Sequence, residues 1–311
     1  MKFPFDLSIT LVFRLLLPGA VLAVALTPLM DGWARAFGRE LALEAALPIA
    51  AIIFGWIVVL LDQPIYMAFE GRRYWPSQIR KLGLWLEKRR LKHIKAEEAK
   101  NLPDSVEWSL RTLDFPLSHS GDREAIYPTR LGNLLAAVER YPTQMYGIDG
   151  VFYWYRIWPQ LDKDLRGEID QSQAVADSGL YVSACLAFSA LLGFGYLLMG
   201  LPRFADYPAV DMPLLPAPGV LFGGSLAALL AAYVLYRISL SSQRVCGEMF
   251  RALFDVYRDK LSFIDGVVSI ATAKGAGDPG TDQRQKYMTA WRFLRWYRVR
   301  AAGATANHKP T

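Results

Sequence analysis

The chain has 311 residues, 53% of them apolar, with 35 Lys and Arg against 29 Asp and Glu. Leu15–Met30, Ala45–Leu61, Ser178–Pro202 and Met212–Tyr236 hold no charged residue at all. One such run suits a buried helix of a soluble core. Four of them in a chain of this length exclude an ordinary soluble protein and predict a polytopic membrane protein.

A helix rises about 1.5 Å per residue and the hydrocarbon layer is about 30 Å thick, so a span needs about 20 apolar residues. The first is expected over about 9–30. It starts near Ile9 and puts Arg14 in the inner headgroup zone, where its long side chain can snorkel to the phosphates. Ala23-Val24-Ala25 resembles a signal-peptide cleavage site, but Lys2 is the sole early cation besides the amino terminus, Asp6 lies among the leading residues and Arg14 interrupts the apolar run. An uncleaved span is expected. The second span, about 45–62, ends at Asp62, which Pro64 follows. Arg14 and Asp62 are the two polar candidates at membrane depth, and both read as interfacial.

Residues 63–177 are long enough for a small domain and read as helical. Ser77 is placed to cap a basic helix through Ile79, Leu82, Trp85, Leu86 and Ile94. Arg80, Lys81, Lys88, Arg89, Arg90 and Lys92 lie between those positions, as candidates for contact with anionic lipid headgroups. A second short helix is expected after Asp104 or Ser105, closed by Pro116, and Ser118–Asp122 reads as a polar loop. Thr129 should cap a helix from Arg130 to Arg140, ended by Pro142. Tyr146–Gly150 reads as a turn, with Asp149 capping the aromatic run Phe152, Tyr153, Trp154, Tyr155 and Trp158. Such aromatics anchor at headgroups or fill a core.

From Leu161 the chain should be helical straight into the third span, about 178–201. The fourth, about 215–236, should continue as a stalk over 237–270, whose stripe Cys246, Met249, Phe250, Leu253, Phe254, Tyr257 and Leu261 keeps the helical period. Residues 271–311 read as a flexible linker followed by a basic helix, Tyr287 to Arg300, with Arg292, Arg295 and Arg298 as further lipid-contact candidates. Small residues repeat every four positions, as Gly219, Gly223, Ala227 and Ala231 with Gly224, Ala228 and Ala232, as Ser183 with Ala187, Ser189 with Gly193, and Ala51 with Gly55. Such faces let helices pack closely in lipid.

Cations set the orientation. Loops 31–44 and 203–211 hold three Lys or Arg between them, and the other 32 fall in the amino-terminal stretch, 63–177 and 237–311. By the positive-inside rule both termini and the 63–177 segment are expected to be cytoplasmic. On that topology neither Cys185 nor Cys246 lies in an oxidising space, and both read as packing residues.

Three strings carry a family likeness. They are Pro128-Thr129-Arg130-Leu131-Gly132-Asn133 with Glu139 and Tyr141-Pro142; Tyr146-Gly147-Ile148-Asp149 with Trp158-Pro159; and Phe250 to Arg258. They resemble a family of bacterial four-span inner-membrane proteins to which no activity is assigned. The resemblance implies a bacterial inner-membrane location and makes Arg130, Asn133, Tyr146, Asp149, Trp158, Asp255, Tyr257 and Arg258 the motif candidates on the cytoplasmic side.

No catalytic motif emerges. His93, His119 and His308 have no metal-ligand spacing, Lys274-Gly275-Ala276-Gly277 follows no strand and lacks the trailing Lys-Ser/Thr of a phosphate loop, and no nucleophile elbow is present. No catalytic, cofactor or metal residue is expected. The fold class expected is an all-α polytopic membrane protein, four transmembrane helices with a helical cytoplasmic domain between the second and third and a cytoplasmic extension of the fourth. The expected role is a membrane-anchored binding or scaffold module at the cytoplasmic face, partnered by anionic lipid headgroups and a cytoplasmic protein, and not nucleic acid. The alternatives are an oligomeric channel or transporter built from copies of the chain and, third, a membrane-bound enzyme.

Overall fold

The computed structural model describes residues 11–100, 114–116, 126–199 and 214–306, and these hold helices, turns and irregular chain without a strand. The expected helix after Asp104, the loop Ser118–Asp122, the loop 203–211 and both chain ends lie outside the described residues. Four helices are long and apolar enough to cross a membrane: Val12–Ala36, Leu43–Leu60, Lys163–Leu198 and Pro218–Lys260. The chain divides into two compact units. The first comprises Met1–Phe69 and Gly167–Cys246, the second Glu70–Arg166 and Gly247–Thr311.

In the first unit, α1 (Val12–Ala36) opens with a π-helical turn over Val12–Leu16 and meets α2 (Leu43–Leu60) at backbone distance. A Cβ on Gly19 would lie 1.9 Å from the Ala51 carbonyl oxygen, and one on Gly55 would lie 2.3 Å from that of Leu15. The crossing therefore requires glycine, and the Ala51/Gly55 face forms it. The helix expected to run to Asp62 breaks at Leu61, whose ψ of 11° leaves the helical region, and α3 (Asp62–Phe69) starts afresh. Pro64 fits the first turn of this new helix, where a missing N–H costs nothing.

Two long helices, α7 (Lys163–Met199) and α8 (Pro218–Tyr257), pair antiparallel within this unit. Ser183 Oγ donates to the Ala232 carbonyl at 2.7 Å, Ser172 lies 3.4 Å from Cys246, and Cβ atoms on Gly179 and Gly193 would strike Ser239 and Ser225. Ser225, Ala232, Ser239 and Cys246 recur every seven residues, the spacing that keeps one seam facing a neighbouring helix. This corrects the four-residue line expected on α8. Gly219, Gly223 and Gly224 have nothing within 4 Å of an added Cβ, because the seven-residue seam turns them outward. An apolar cluster of Leu22, Val58, Tyr181 and Cys185, flanked by Phe54, Ile65 and Tyr66, fills the core.

In the second unit, α4 (Ser77–Lys100) and α5 (Arg130–Tyr146) meet around Pro128. Added Cβ atoms would lie 2.3 Å from Pro128 at Gly71 and 2.5 Å at Gly83, and the one at Gly132 would lie 2.3 Å from the Glu70 carbonyl oxygen. Thr129 caps α5 by accepting from the Gly132 N–H at 3.0 Å. Pro142 does not end α5, which continues to Tyr146. Pro142 is fully buried, packs against Gly150, and its carbonyl accepts the Ile148 N–H at 3.1 Å, so the lost backbone donor is offset by packing and capping. Gly147, at φ 71°, closes the helix.

Asp149 caps α6 (Gly150–Ile157) by accepting from the Phe152 N–H at 2.9 Å. A 3₁₀ turn, Trp158–Gln160, follows. The expected stalk is not one rod. Helix α8 ends at Tyr257 in a 3₁₀ turn, Arg258–Lys260, the buried Leu261 leaves helical dihedrals, and α9 (Phe263–Ala273) is a separate helix. The last helix, α10 (Gln283–Ala306), starts four residues before the expected Tyr287. Lys286 joins Asp265 at 2.9 Å, and α9 buries Ile264, Val268 and Ala271 while α10 buries Tyr287 and Ala290.

Candidate functional site

Arg14, Asp62, Tyr66, Asp177, Tyr181 and Gln243 of the first unit converge on one cluster. On α3, Asp62 and Tyr66 are four residues apart and so share a face, as do Asp177 and Tyr181 on α7. The two pairs exchange bonds: the Tyr66 hydroxyl donates to Asp177 Oδ1, and the Tyr181 hydroxyl donates to Asp62 Oδ1 at 2.6 Å. Arg14 from α1 completes Asp177, with Nε 2.9 Å and Nη2 2.7 Å from Oδ2. Gln243 from α8 donates to the Tyr66 oxygen at 2.7 Å. Asp177 is 3% exposed, so a carboxylate stands inside the apolar unit with both oxygens engaged.

Four helices are thereby tied through a reciprocal carboxylate–phenol clasp. Arg14 does not snorkel away from the bundle; it is held by Asp177. Asp62 sits at the start of α3 and is bound by Tyr181. Asp177, Tyr66, Tyr181 and Gln243 were not among the expected site residues. Their signal was the repeated spacing Asp-x-x-x-Tyr, at Asp62-Gln-Pro-Ile-Tyr66 and Asp177-Ser-Gly-Leu-Tyr181. Chemically, the cluster holds two carboxylates and one guanidinium, with phenols as donors. A buried charge kept this way needs its partner, since removing one side leaves the other uncompensated.

The motif strings of the second unit form joints. Asn133 is fully buried. Its amide nitrogen donates to the carbonyl oxygens of Tyr127 (3.0 Å) and Thr129 (2.9 Å) and approaches Glu87 Oε2 at 3.2 Å, while its oxygen accepts from the Tyr127 N–H at 2.7 Å. Arg130 lies 3.9 Å from Glu87, and Arg72 pairs with both Glu70 and Glu139. Burial raises the Glu70 carboxyl to about 7, against the opposing pull of the Arg72 guanidinium and with the charge of Glu139 adding to the rise.

A second joint gathers Asp255, which accepts from Tyr146 at 2.7 Å and from Tyr141 at 3.0 Å. Both phenols are pushed above their ordinary range, Tyr141 first by burial and Tyr146 first by its bond to Asp255. The Arg258 guanidinium stacks on the Tyr146 ring at 4.6 Å, and Lys260 on Tyr257 at 4.7 Å. Trp158 stacks on Trp154 at 5.2 Å, and Asp149 faces Arg295 at 3.7 Å. These motif residues cap and tie helices together.

The basic helix divides its apolar residues between two faces. Buried Gly83, Glu87 and Ile94 form the inner face of α4, whereas Ile79, Leu82 (57% exposed), Trp85 (54%) and Leu86 form an outward apolar arc. At 100° per residue, the exposed Lys81, Lys88 and Lys92 border that arc, and Arg89 stacks on Trp85 at 5.5 Å. Arg80 is also exposed. Arg90 departs from its expected role: it turns inward, to Glu87 (3.2 Å), Asp114 (3.5 Å) and the Phe115 ring. On α10, Arg292 and Arg295 are exposed, and the side chain of Arg298 lies outside the described residues.

Among the described residues no group of three or more His, Cys, Asp and Glu could hold a metal ion. Comparison with known proteins gives no matching family model, no matching curated protein and no matching solved structure.

Proposed function

We propose that the chain is an integral protein of the bacterial inner membrane, both termini cytoplasmic, that serves as a membrane-anchored binding or scaffold module at the cytoplasmic face. The observation that carries this reading is the outward apolar arc of α4 beside its lysines. A helix that buries Gly83, Glu87 and Ile94 but turns Ile79, Leu82, Trp85 and Leu86 outward has put much of its hydrophobic surface where something other than its own core can cover it. A basic border next to that surface matches an anionic leaflet, where each cation near the surface contributes about 1 kcal/mol. On this reading the second unit holds its surface against the leaflet and presents the rest to a cytoplasmic protein.

The test is acetylation of the full chain in vesicles by a water-soluble reagent, resolved by mass spectrometry. Lys81, Lys88 and Lys92 should react several-fold more slowly in vesicles containing phosphatidylglycerol than in phosphatidylcholine alone. Equal rates in both would contradict lipid contact by α4.

A second reading, an oligomeric channel or transporter, draws on the clasp, because ionisable groups inside an apolar bundle commonly mark a translocation path. Ion or proton flux through reconstituted protein, abolished by Asp177→Asn, would favour it. Absence of flux under imposed ion and proton gradients would remove it.

A further inference from the structure

Residues 70–76 lead into α4 without a helix of their own, and they meet the start of α5 at backbone distance. An added Cβ at Gly71, whose φ is 70°, would lie 2.3 Å from Pro128, and one at Gly132 would lie 2.3 Å from the Glu70 carbonyl oxygen. The backbone around Glu70 is therefore closely held, and the residue, 5% exposed, has little room to turn toward water. The charges about its carboxylate are unevenly matched. Arg72 of the same segment pairs with Glu70 and also, at 2.8 Å, with Glu139 of α5, so two carboxylates share one guanidinium. That guanidinium lies over the Tyr127 ring at 5.0 Å. Arg130 of α5 lies 3.9 Å from Glu87 of α4, which is bonded in turn to Asn133.

With a proton on Glu70, Arg72 and Glu139 form a balanced pair. Without it, one carboxylate in excess is kept from water, which burial penalises. Glu70 is the only acidic residue of the segment, and burial lifts its carboxyl to about 7, so the choice between these forms falls near neutral pH. Tyr74 has a φ of 66°, a left-handed conformation that a bulky side chain disfavours, so this residue gains by leaving its place.

We propose that residues 70–76 form a proton-operated latch: a protonated Glu70 keeps the segment seated on α5, and an ionised one lifts it so that the carboxylate reaches water. The direction follows from linkage. The seated form holds its proton up to about pH 7, whereas a lifted, hydrated carboxyl releases it near the ordinary 4.5. Lifting therefore grows between those values and levels off above them. Acid closes the latch. The device lies within the second unit and does not depend on the membrane reading.

The test measures one distance inside that unit. The full chain in nanodiscs, with Cys185 and Cys246 replaced by alanine, carries nitroxides on Arg73→Cys and Met145→Cys, both exposed positions. Pulsed electron resonance reads their separation from pH 5 to 8. One narrow distance is expected at pH 5, and a second, broader one should grow at least about tenfold relative to it by pH 7, then level off. Glu70→Gln imitates the protonated acid and should keep the narrow distance throughout. Glu139→Gln changes a side chain that is 38% exposed and should move the growth to lower pH, because the Glu139 charge adds to the rise at Glu70. A single unchanged distance across the series, growth that Glu70→Gln does not suppress, or growth that Glu139→Gln leaves in place would overturn the latch. Loss of helix by circular dichroism in step with the second distance would also overturn it, as unfolding of the unit.

Discussion

The two units bury polar groups in opposite styles. In the first, charge is gathered at two places: Arg14, Asp62 and Asp177 meet at one clasp on four helices, the buried Asp31 pairs with Arg35 along α1, and other contacts run through glycine, serine and apolar groups. In the second, charge is distributed over three joints, Glu70 with Arg72 and Glu139, Glu87 with Asn133, and Asp255 with its two tyrosines, while an apolar arc of α4 faces outward. An apolar bundle can afford one polar knot if every member is satisfied. A unit with polar seams can lose one joint and keep the others.

Asp177→Ala is the strongest way to break this contrast. It strands Arg14 and Tyr66 in an apolar unit, and a loss of about 3–5 kcal/mol is expected, read as faster hydrogen exchange across α1, α3 and α7. Asp177→Asn keeps an acceptor and should cost less. A loss under about 0.5 kcal/mol would show that the clasp does not hold the unit.

Asn133→Leu comes next. It leaves the Tyr127 N–H and nearby carbonyls without partners, at about 1–3 kcal/mol per buried group. The added exchange should be confined to the α4–α5 joint, and its spread over the whole second unit would contradict separate joints. Gly83→Ala should cost about 1–3 kcal/mol, because its Cβ would fall 2.5 Å from the Pro128 carbonyl oxygen.

Glu70 supplies a pH signature. Its folded carboxyl titrates near 7 against an ordinary 4.5, so the folded state keeps a proton that the unfolded chain has released. The second unit should therefore lose stability as pH rises from about 4.5 to 7, by linkage. Glu70→Gln should flatten that slope in a pH series of thermal unfolding, and an unaltered slope would assign it elsewhere. The smallest effect on stability is expected for Leu82→Asp, within about 0.5 kcal/mol because the side chain already points outward.

Much of this architecture is legible from residue type and spacing. The uncharged runs locate the four long helices, Thr129 and Asp149 act as the caps their chemistry suggests, and the continuation of the third and fourth runs into longer helices follows from periodicity. The clasp is legible only once α3 and α7 are side by side, since each Asp-x-x-x-Tyr alone looks like an ordinary helix face. The α8 glycines mislead because a four-residue line and a seven-residue seam coexist on one helix, and only a partner chooses between them. Pro142 misleads because burial and the carbonyl-capping turn outweigh one missing donor. On α4, Ile94 departs from the line read with Ile79, Leu82, Trp85 and Leu86, because it falls on the face that Gly83 and Glu87 bury.

The most direct test of the proposed surface role is the depth of residue 82. A nitroxide on a cysteine replacing Leu82, with Cys185 and Cys246 replaced by alanine, reports its depth through collisions with oxygen and with an aqueous nickel chelate. In vesicles containing phosphatidylglycerol the account predicts a position at the headgroup–acyl boundary, shifted into water by charge reversal of Lys81, Lys88 and Lys92. A residue 82 that is fully aqueous in both anionic and neutral vesicles would contradict it.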